Sequence, residues 1–352
     1  MTSLAHNKFC ELEDFADPEL VEIIRDVFRH EVGKFTPEFP RGAEYRKYWE
    51  IAMSVRALRH FRALRPDSVL LGVAAGTETT LFYLTNHARL VFATDLYLSP
   101  GAWGSFAPGF MLFEPEKVAP YAFNRNGLIV QHMDGRILRY PDNMFDGIFS
   151  SGSIEHFGGL DFTANSAYEM GRVLKEGGIL TVSTEYLING PPGGIGWENC
   201  IMFSYENIMK YIVCASGLEL VDEFNTHLSR ATLSTQRELR QYVQDLERQT
   251  KKEPYPRVGE VIWSEYPHLV LSQDEYTFGS VHITLRKTGN YPAAPNEWAK
   301  PSLATLKAAE SMAPHPTVAS LDTVPETISV RSIARRFKAK VVNKLQRVRG
   351  CS

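Results

Sequence analysis

Apolar side chains recur along the first half of the chain with two different periods. In 19–30 (ELVEIIRDVFRH) and 46–61 (RKYWEIAMSVRALRHF) they fall at helical spacing with no Gly or Pro inside, so each stretch predicts an amphipathic helix. Pro66-Asp67 then marks a turn. Beyond it, short apolar runs at 68–73, 90–94, 127–131, 145–150 and 178–183 alternate with helical stretches at 78–86 and 162–175. Such alternation predicts βαβ units and a parallel sheet covered on both faces. The pattern then changes: 204–216 predicts a helix, 218–223 a strand, and 229–250, rich in Arg, Gln and Leu, a long polar helix. Residues 278–287 alternate with period two and predict a late antiparallel strand. Six prolines and little periodicity over 290–328 predict a flexible linker.

In an open α/β sheet the ligand crevice lies outside the carboxyl ends of the strands. Those ends carry Ala74-Ala75-Gly76-Thr77-Glu78, then Asp95, then Asp134-Gly135, then Ser150-Ser151-Gly152 with Glu155-His156. The first is a small-residue loop, through which backbone N–H groups approach a ligand; small residues there also serve tight strand-to-helix packing. Asp95 follows Gly76 by 19 residues, close to the separation at which an acid meets ribose hydroxyls in a nucleotide-binding βαβ unit. Together the pair favours a nucleoside ligand.

The stretch Asp134 to Phe157 contains Asp134-Gly135, Pro141-Asp142-Asn143-Met144-Phe145-Asp146 and Glu155-His156, and Arg172-Val173-Leu174-Lys175-Glu176-Gly177-Gly178 precedes a strand. This combination closely resembles the class I S-adenosylmethionine-dependent methyltransferases, over about residues 45–225. The resemblance implies a Rossmann-like, seven-stranded, mostly parallel sheet with helices on both faces and a late antiparallel strand. It also implies S-adenosyl-L-methionine as cofactor. Ala74, Gly76 and Thr77 would then hold the methionine part, Asp95 both ribose hydroxyls, Leu96 the adenine face and Asp134 the exocyclic amine, with Gly135 and Ser151 at the same strand ends. The family's first loop usually reads acid-x-Gly-x-Gly-x-Gly; here the acid position is Gly72, the first glycine Ala74 and the last Glu78. A carboxylate at position 78 suits the start of a helix, or it meets the cofactor's amino group in place of the missing acid.

Methyl transfer from a sulfonium is an in-line displacement that depends on positioning, so such an enzyme needs a pocket more than a triad. For a hydroxyl acceptor a base helps, and His156, just past the fourth strand end, is the best placed of ten histidines. Its other reading is a group that orients the cofactor or caps a helix. Trp103, Glu185 and Tyr186 are candidate acceptor-binding groups, on a long segment 96–121 and after the fifth strand. The sequence 187–197 (LINGPPGGIGW) is too rich in Gly and Pro for helix or strand and predicts a lid. No phosphate loop with its lysine and no nucleophile-elbow context occurs. A degenerate methyltransferase fold that binds without catalysing is the alternative.

The 352 residues are 44% hydrophobic and 22% charged, with a formal charge of −3. That profile excludes collagen, a disulfide scaffold and wholesale disorder. Four scattered cysteines predict a reducing compartment and no metal site. No signal peptide or transmembrane segment is read, so a cytoplasmic location is expected. The net charge divides unevenly: Ser329 to Ser352 holds eight Arg/Lys and no acid, leaving 30 basic and 41 acidic side chains elsewhere. On a helix, Val330, Ile333, Phe337, Val341, Leu345 and Val348 form an apolar stripe opposite that charge, which fits an anionic membrane surface. A lipid-linked, glycan or other small-molecule acceptor is then expected, with the protein peripheral to the membrane and no nucleic acid bound. The expected organisation is a helical flank (1–65), a methyltransferase domain (66–289), a linker (290–328) and a basic amphipathic helix (329–352).

Overall fold

In chain order the elements are β1 (Lys8–Phe9), α1 (Pro18–Val27), α2 (Arg46–His60), β2 (Val69–Val73), α3 (Thr79–Thr85), β3 (Leu90–Asp95), β4 (Leu128–His132), β5 (Phe145–Ser151), α4 (Leu160–Val173) and β6 (Leu174–Asn189). There follow β7 (Ile195–Trp197), β8 (Cys200–Met202), α5 (Tyr205–Ile208), which runs on as a π-helical turn over Met209–Cys214, β9 (Glu219–Leu220), α6 (Arg230–Leu233), β10 (Arg237–Glu238), β11 (Val270–Gln273) and β12 (Tyr276–Arg286). The computed structural model describes residues 4–31, 38–40, 44–99, 106–197, 200–241 and 268–289. All lie in the first of two compact units, 1–303. The predicted linker and basic helix, and Trp103, fall outside the described residues.

The main sheet has the order β4-β3-β2-β5-β6-β12, parallel from β4 to β6 and antiparallel at β12. Parallel strands with crossover helices must bury both faces, and the alternation along β2 does this. Leu70 faces one core layer with α1, α2 and α3, while Val69, Leu71 and Val73 face the other with α4 and the 205–214 helix. The mostly parallel α/β sheet is as expected, but among the described residues it has ten strands rather than seven. The additions are short pieces on the outer side of β12, where β9 pairs with Leu285 and Arg286, β1 with Val281 and His282, and β11 with Tyr276 to Gly279. They cover an edge that would otherwise offer unpaired N–H and C=O groups. β10 then pairs with β11.

Two further expectations are corrected. Within 229–241 there is a single turn, α6, and then strand β10, with 242–250 outside the described residues. Its polar side chains have little apolar surface to bury on a long helix, and Ser229 caps the short turn by accepting from the Thr232 N–H at 2.9 Å. The segment 187–197 is not irregular: β6 extends to Asn189, a turn from Pro191 to Gly194, where φ is +68°, leads into β7, and β7 pairs antiparallel with β8. The glycines thus make the turn rather than prevent the strands.

The late strand also secures α4. Lys287, just beyond β12 and buried, donates through Nζ to the carbonyls of Gly171 (2.9 Å), Arg172 (3.2 Å) and Leu174 (2.8 Å) and to Asn143 Oδ1 (2.9 Å). A cation at a helix C-terminus satisfies carbonyls without an intrahelical partner and suits the helix dipole. Replacing Lys287→Met should destabilise the fold by about 2–3 kcal/mol, since buried acceptors lose their donor. Urea unfolding measures this, and a loss below about 0.5 kcal/mol would contradict it.

Candidate active site

The polar strand ends meet where the chain winds away from β2 in two directions. β2 leads into 74–78, a turn that requires left-handed backbone at Ala74 (φ +52°) and Gly76 (φ +45°). Alanine tolerates this at a cost of about 1 kcal/mol. Gly76 has no such latitude, because a Cβ there would lie 2.5 Å from the Phe106 carbonyl oxygen. The loop is held from three sides. Ser153 Oγ donates to the Ala74 carbonyl at 3.0 Å, Tyr97 Oη to the Gly76 carbonyl at 2.8 Å, and the Gly76 N–H to Asp95 Oδ2 at 2.8 Å.

Asp95 ends β3, half-buried, and its other oxygen accepts from the Leu96 N–H at 2.6 Å. Burial raises its carboxyl above the usual range, opposed by those two N–H donors. Each oxygen keeps a second lone pair, so the carboxylate is oriented yet able to accept from two vicinal hydroxyls. Asp134, after β4, is engaged more fully: Arg136 grips it through Nε (2.9 and 3.0 Å) and Nη2 (2.6 Å), and its own N–H adds a bond at 2.9 Å. Beside it Gly135 packs tightly, since a Cβ would meet Val73 Cγ1 at 2.9 Å and the Phe157 ring at 3.1 Å.

The missing acid at position 72 has a steric explanation. A Cβ on Gly72 would lie 2.7 Å from Phe149 Cζ and 2.8 Å from the Ala75 Cβ, so the Phe149 ring of β5 occupies the place of a side chain there. Charge enters from another direction. Lys47, in the first turn of α2, donates to Glu50 Oε2 at 2.8 Å and to the Ser151 carbonyl at 3.0 Å. Glu50 also accepts from Ser280 Oγ on β12. Although burial opposes its charge, Lys47 and Arg46 hold Glu50 below the usual carboxylate range. Glu78 accepts from Thr80 Oγ1 at 2.5 Å; enclosure raises its carboxyl, with Lys47 pulling the other way.

Arg46 pairs with Glu185 on β6, both Nη groups meeting the two carboxylate oxygens at 2.7 and 2.6 Å. Tyr186 points to the opposite face, as successive strand residues must, and stacks edge-on against Phe9 at 4.3 Å between ring centroids. The structure therefore separates these two predicted acceptor groups. His156 closes the turn Ile154–His156 after β5, half-buried, and the preceding Glu155 is 2% exposed and accepts from Thr184 Oγ1 at 2.9 Å. Strands β7 and β8 pass over this corner, bringing Cys200 close to Glu155, Glu185 and Arg46.

Thus 74–78, Asp95, Asp134, Ser151 and His156 share one end of the sheet, as the sequence predicts. The contribution of α2 is not predicted. Its signal was two adjacent cations in the first turn of a helix, where the dipole disfavours positive charge.

Residues 112–182 match the family described as a methyltransferase domain. That span takes in β4, β5 and α4 with Asp134, Gly135, Ser151 and His156. None of the curated proteins matches the chain in sequence. Among solved structures it is similar to the [4+2]-cyclase SpnF, at 17% identity over 80% of this chain and 97% of that one, with a TM-score of 0.45. It is also similar to geranyl diphosphate C-methyltransferase from Streptomyces coelicolor A3(2), at 12% identity over 82% and 92% of the two chains, TM-score 0.42. A further likeness is to a geranyl diphosphate methyltransferase solved with SAM, at 12% identity over 81% and 98%, TM-score 0.43. Over residues 112–182, therefore, the chain is similar to a methyltransferase domain.

Proposed function

We propose that the chain transfers a methyl group from S-adenosylmethionine to a hydroxyl of a sugar, a glycolipid or another small-molecule acceptor. The observation that carries the reading is Asp95, fixed at the end of β3 by the Gly76 and Leu96 N–H groups with a free lone pair on each oxygen. That arrangement suits a ribose, with Leu96 against the adenine. The guanidinium of Arg136 orients Asp134 and leaves its remaining lone pairs to the adenine amine.

At the amino-acid end, Lys47 and Glu78 supply one cation and one anion beside Thr77 and Ser151, complementary to a carboxylate and an ammonium. This pair replaces the acid that Phe149 excludes from position 72, and it fits the cofactor without the family's full glycine loop. When bound, the cofactor supplies an electrophilic methyl group on a cationic sulfur. The protein's part is to align the acceptor and to remove its proton. His156, beside Ser151 and only half-buried, is the group we assign to take the proton. Glu185, held by Arg46 under the β7–β8 hairpin, is assigned to acceptor hydroxyls.

An acceptor with an apolar part is favoured by Leu98, Phe106 and Phe113, exposed apolar side chains on the segment after β3 that flanks the cleft. The basic stripe of 329–352 adds a membrane-surface partner to this reading. Among the described residues no helix is long and apolar enough to cross a membrane.

Labelled cofactor offered with sugars, lipid-linked sugars and phenols should label one class, and Asp95→Ala should weaken S-adenosylmethionine binding at least about tenfold by calorimetry. Absence of affinity for both the cofactor and its demethylated product would leave the non-catalytic alternative. Truncation at Asn290 should abolish binding to anionic vesicles; unchanged binding would remove the membrane partner.

A further inference from the structure

The charges around the turn after β5 do not balance locally. Arg46 is paired with Glu185, and Lys47 with Glu50. Glu155 is enclosed among them with two neutral donors, the Thr184 hydroxyl and its own backbone N–H, and forms no ion pair among the described residues. Its Oε1 lies 3.6 Å from the point where Gly152 would carry a Cβ, and Lys47 Nζ and Glu50 Oε2 stand 2.7 and 3.5 Å from that same point. Gly152 thus leaves a small space beside Ser151, bounded by a carboxyl group with no ion-pair partner among the described residues. Isolated buried carboxylates are costly, and the usual resolution is protonation or the arrival of a cation.

We propose that Glu155 is the counter-ion of the cofactor's sulfonium, a carboxyl group that is protonated in the free protein, ionises when the cation binds and is protonated again once methyl transfer has discharged it. The inference rests on the function proposed above. Burial pushes the Glu155 carboxyl up to about 7, with His156 opposing and Glu185 adding to the rise. The groups that face it are His156 on its own turn, Thr184 and Glu185 on β6, Lys47 and Glu50 on α2 across the Gly152 space, and Cys200 on β8. The Cys200 thiol is pushed up by burial and stays neutral.

Charge and protons balance over a cycle. Entry of the sulfonium releases the Glu155 proton to solvent. The acceptor oxygen then forms the new carbon–oxygen bond with its own electron pair, while the carbon–sulfur pair leaves with a neutral thioether. The hydroxyl proton, taken by His156, passes to Glu155, which no longer faces a cation. The protein is thereby tuned to hold the charged methyl donor in preference to its neutral product.

The test needs no acceptor. Calorimetry of the full chain at pH 7, in buffers of different ionisation enthalpy, counts protons released on binding. S-adenosylmethionine should release about half a proton more than S-adenosylhomocysteine, the excess vanishing by about pH 8.5. Below pH 6 the affinity for S-adenosylmethionine should fall relative to the product, toward about tenfold per pH unit. Glu155→Gln should bind both ligands with equal proton counts. A merely structural Glu155 would shift both affinities together and leave no excess. Equal counts in the wild type, or an excess that survives in Glu155→Gln, would overturn the proposal. The wild-type comparison decides even if that variant does not fold. Absence of binding by either ligand would instead refute the methyltransferase function on which it rests.

Discussion

The ammonium of Lys47 is the interaction on which the site depends. From the first turn of α2 it reaches the Ser151 carbonyl at the end of β5 and the Glu50 carboxylate, which in turn accepts from Ser280 on β12. One line of hydrogen bonds thus ties a central parallel strand, the helix above it and the late antiparallel strand. Two adjacent cations at a helix N-terminus work against the dipole, and taking charge from water costs more than an exposed pair returns. Their position is therefore explained by the acidic cleft they face, not by helix stability. α2 accepts this because nearly every side chain from Tyr48 to Leu58 is buried, Trp49 completely.

The sheet itself was legible from β2 to β6 because parallel strands buried on both faces read as short apolar runs, and β12 because Val281, Ile283 and Leu285 alternate with polar residues. The edge was not. β1, β9 and β10 are two residues long, too short for any period; β1 and β9 exist because β12 offers an open row of hydrogen-bonding groups, and β10 because β11 does. The β7–β8 hairpin was hidden by the glycines and prolines of the turn that leads into it. On α2, Lys47 and Glu50 look like the solvent face of an amphipathic helix, since a pattern of polar positions does not distinguish water from a polar cleft.

The site was legible to the same degree. Asp95 is identified by its separation from Gly76, and the structure joins the two directly through a hydrogen bond. The absence of an acid at Gly72 could not be understood from sequence, because its cause is Phe149, 77 positions away and adjacent only once β2 and β5 pair. The clamp of Arg136 on Asp134 lies only two residues away, yet its bidentate geometry is a property of the turn after β4.

On the proposed function, S-adenosylmethionine binds across the ends of β2, β3, β4 and β5. Amide hydrogen exchange of the full chain with and without the cofactor tests it most directly, because a bound ligand protects the backbone it covers. Protection is predicted at 74–78, 95–98, 134–137 and 151–156, with little change along the outer strands β9, β10 and β11. Saturating cofactor that leaves all four segments unchanged, or protects only residues elsewhere, would contradict the account.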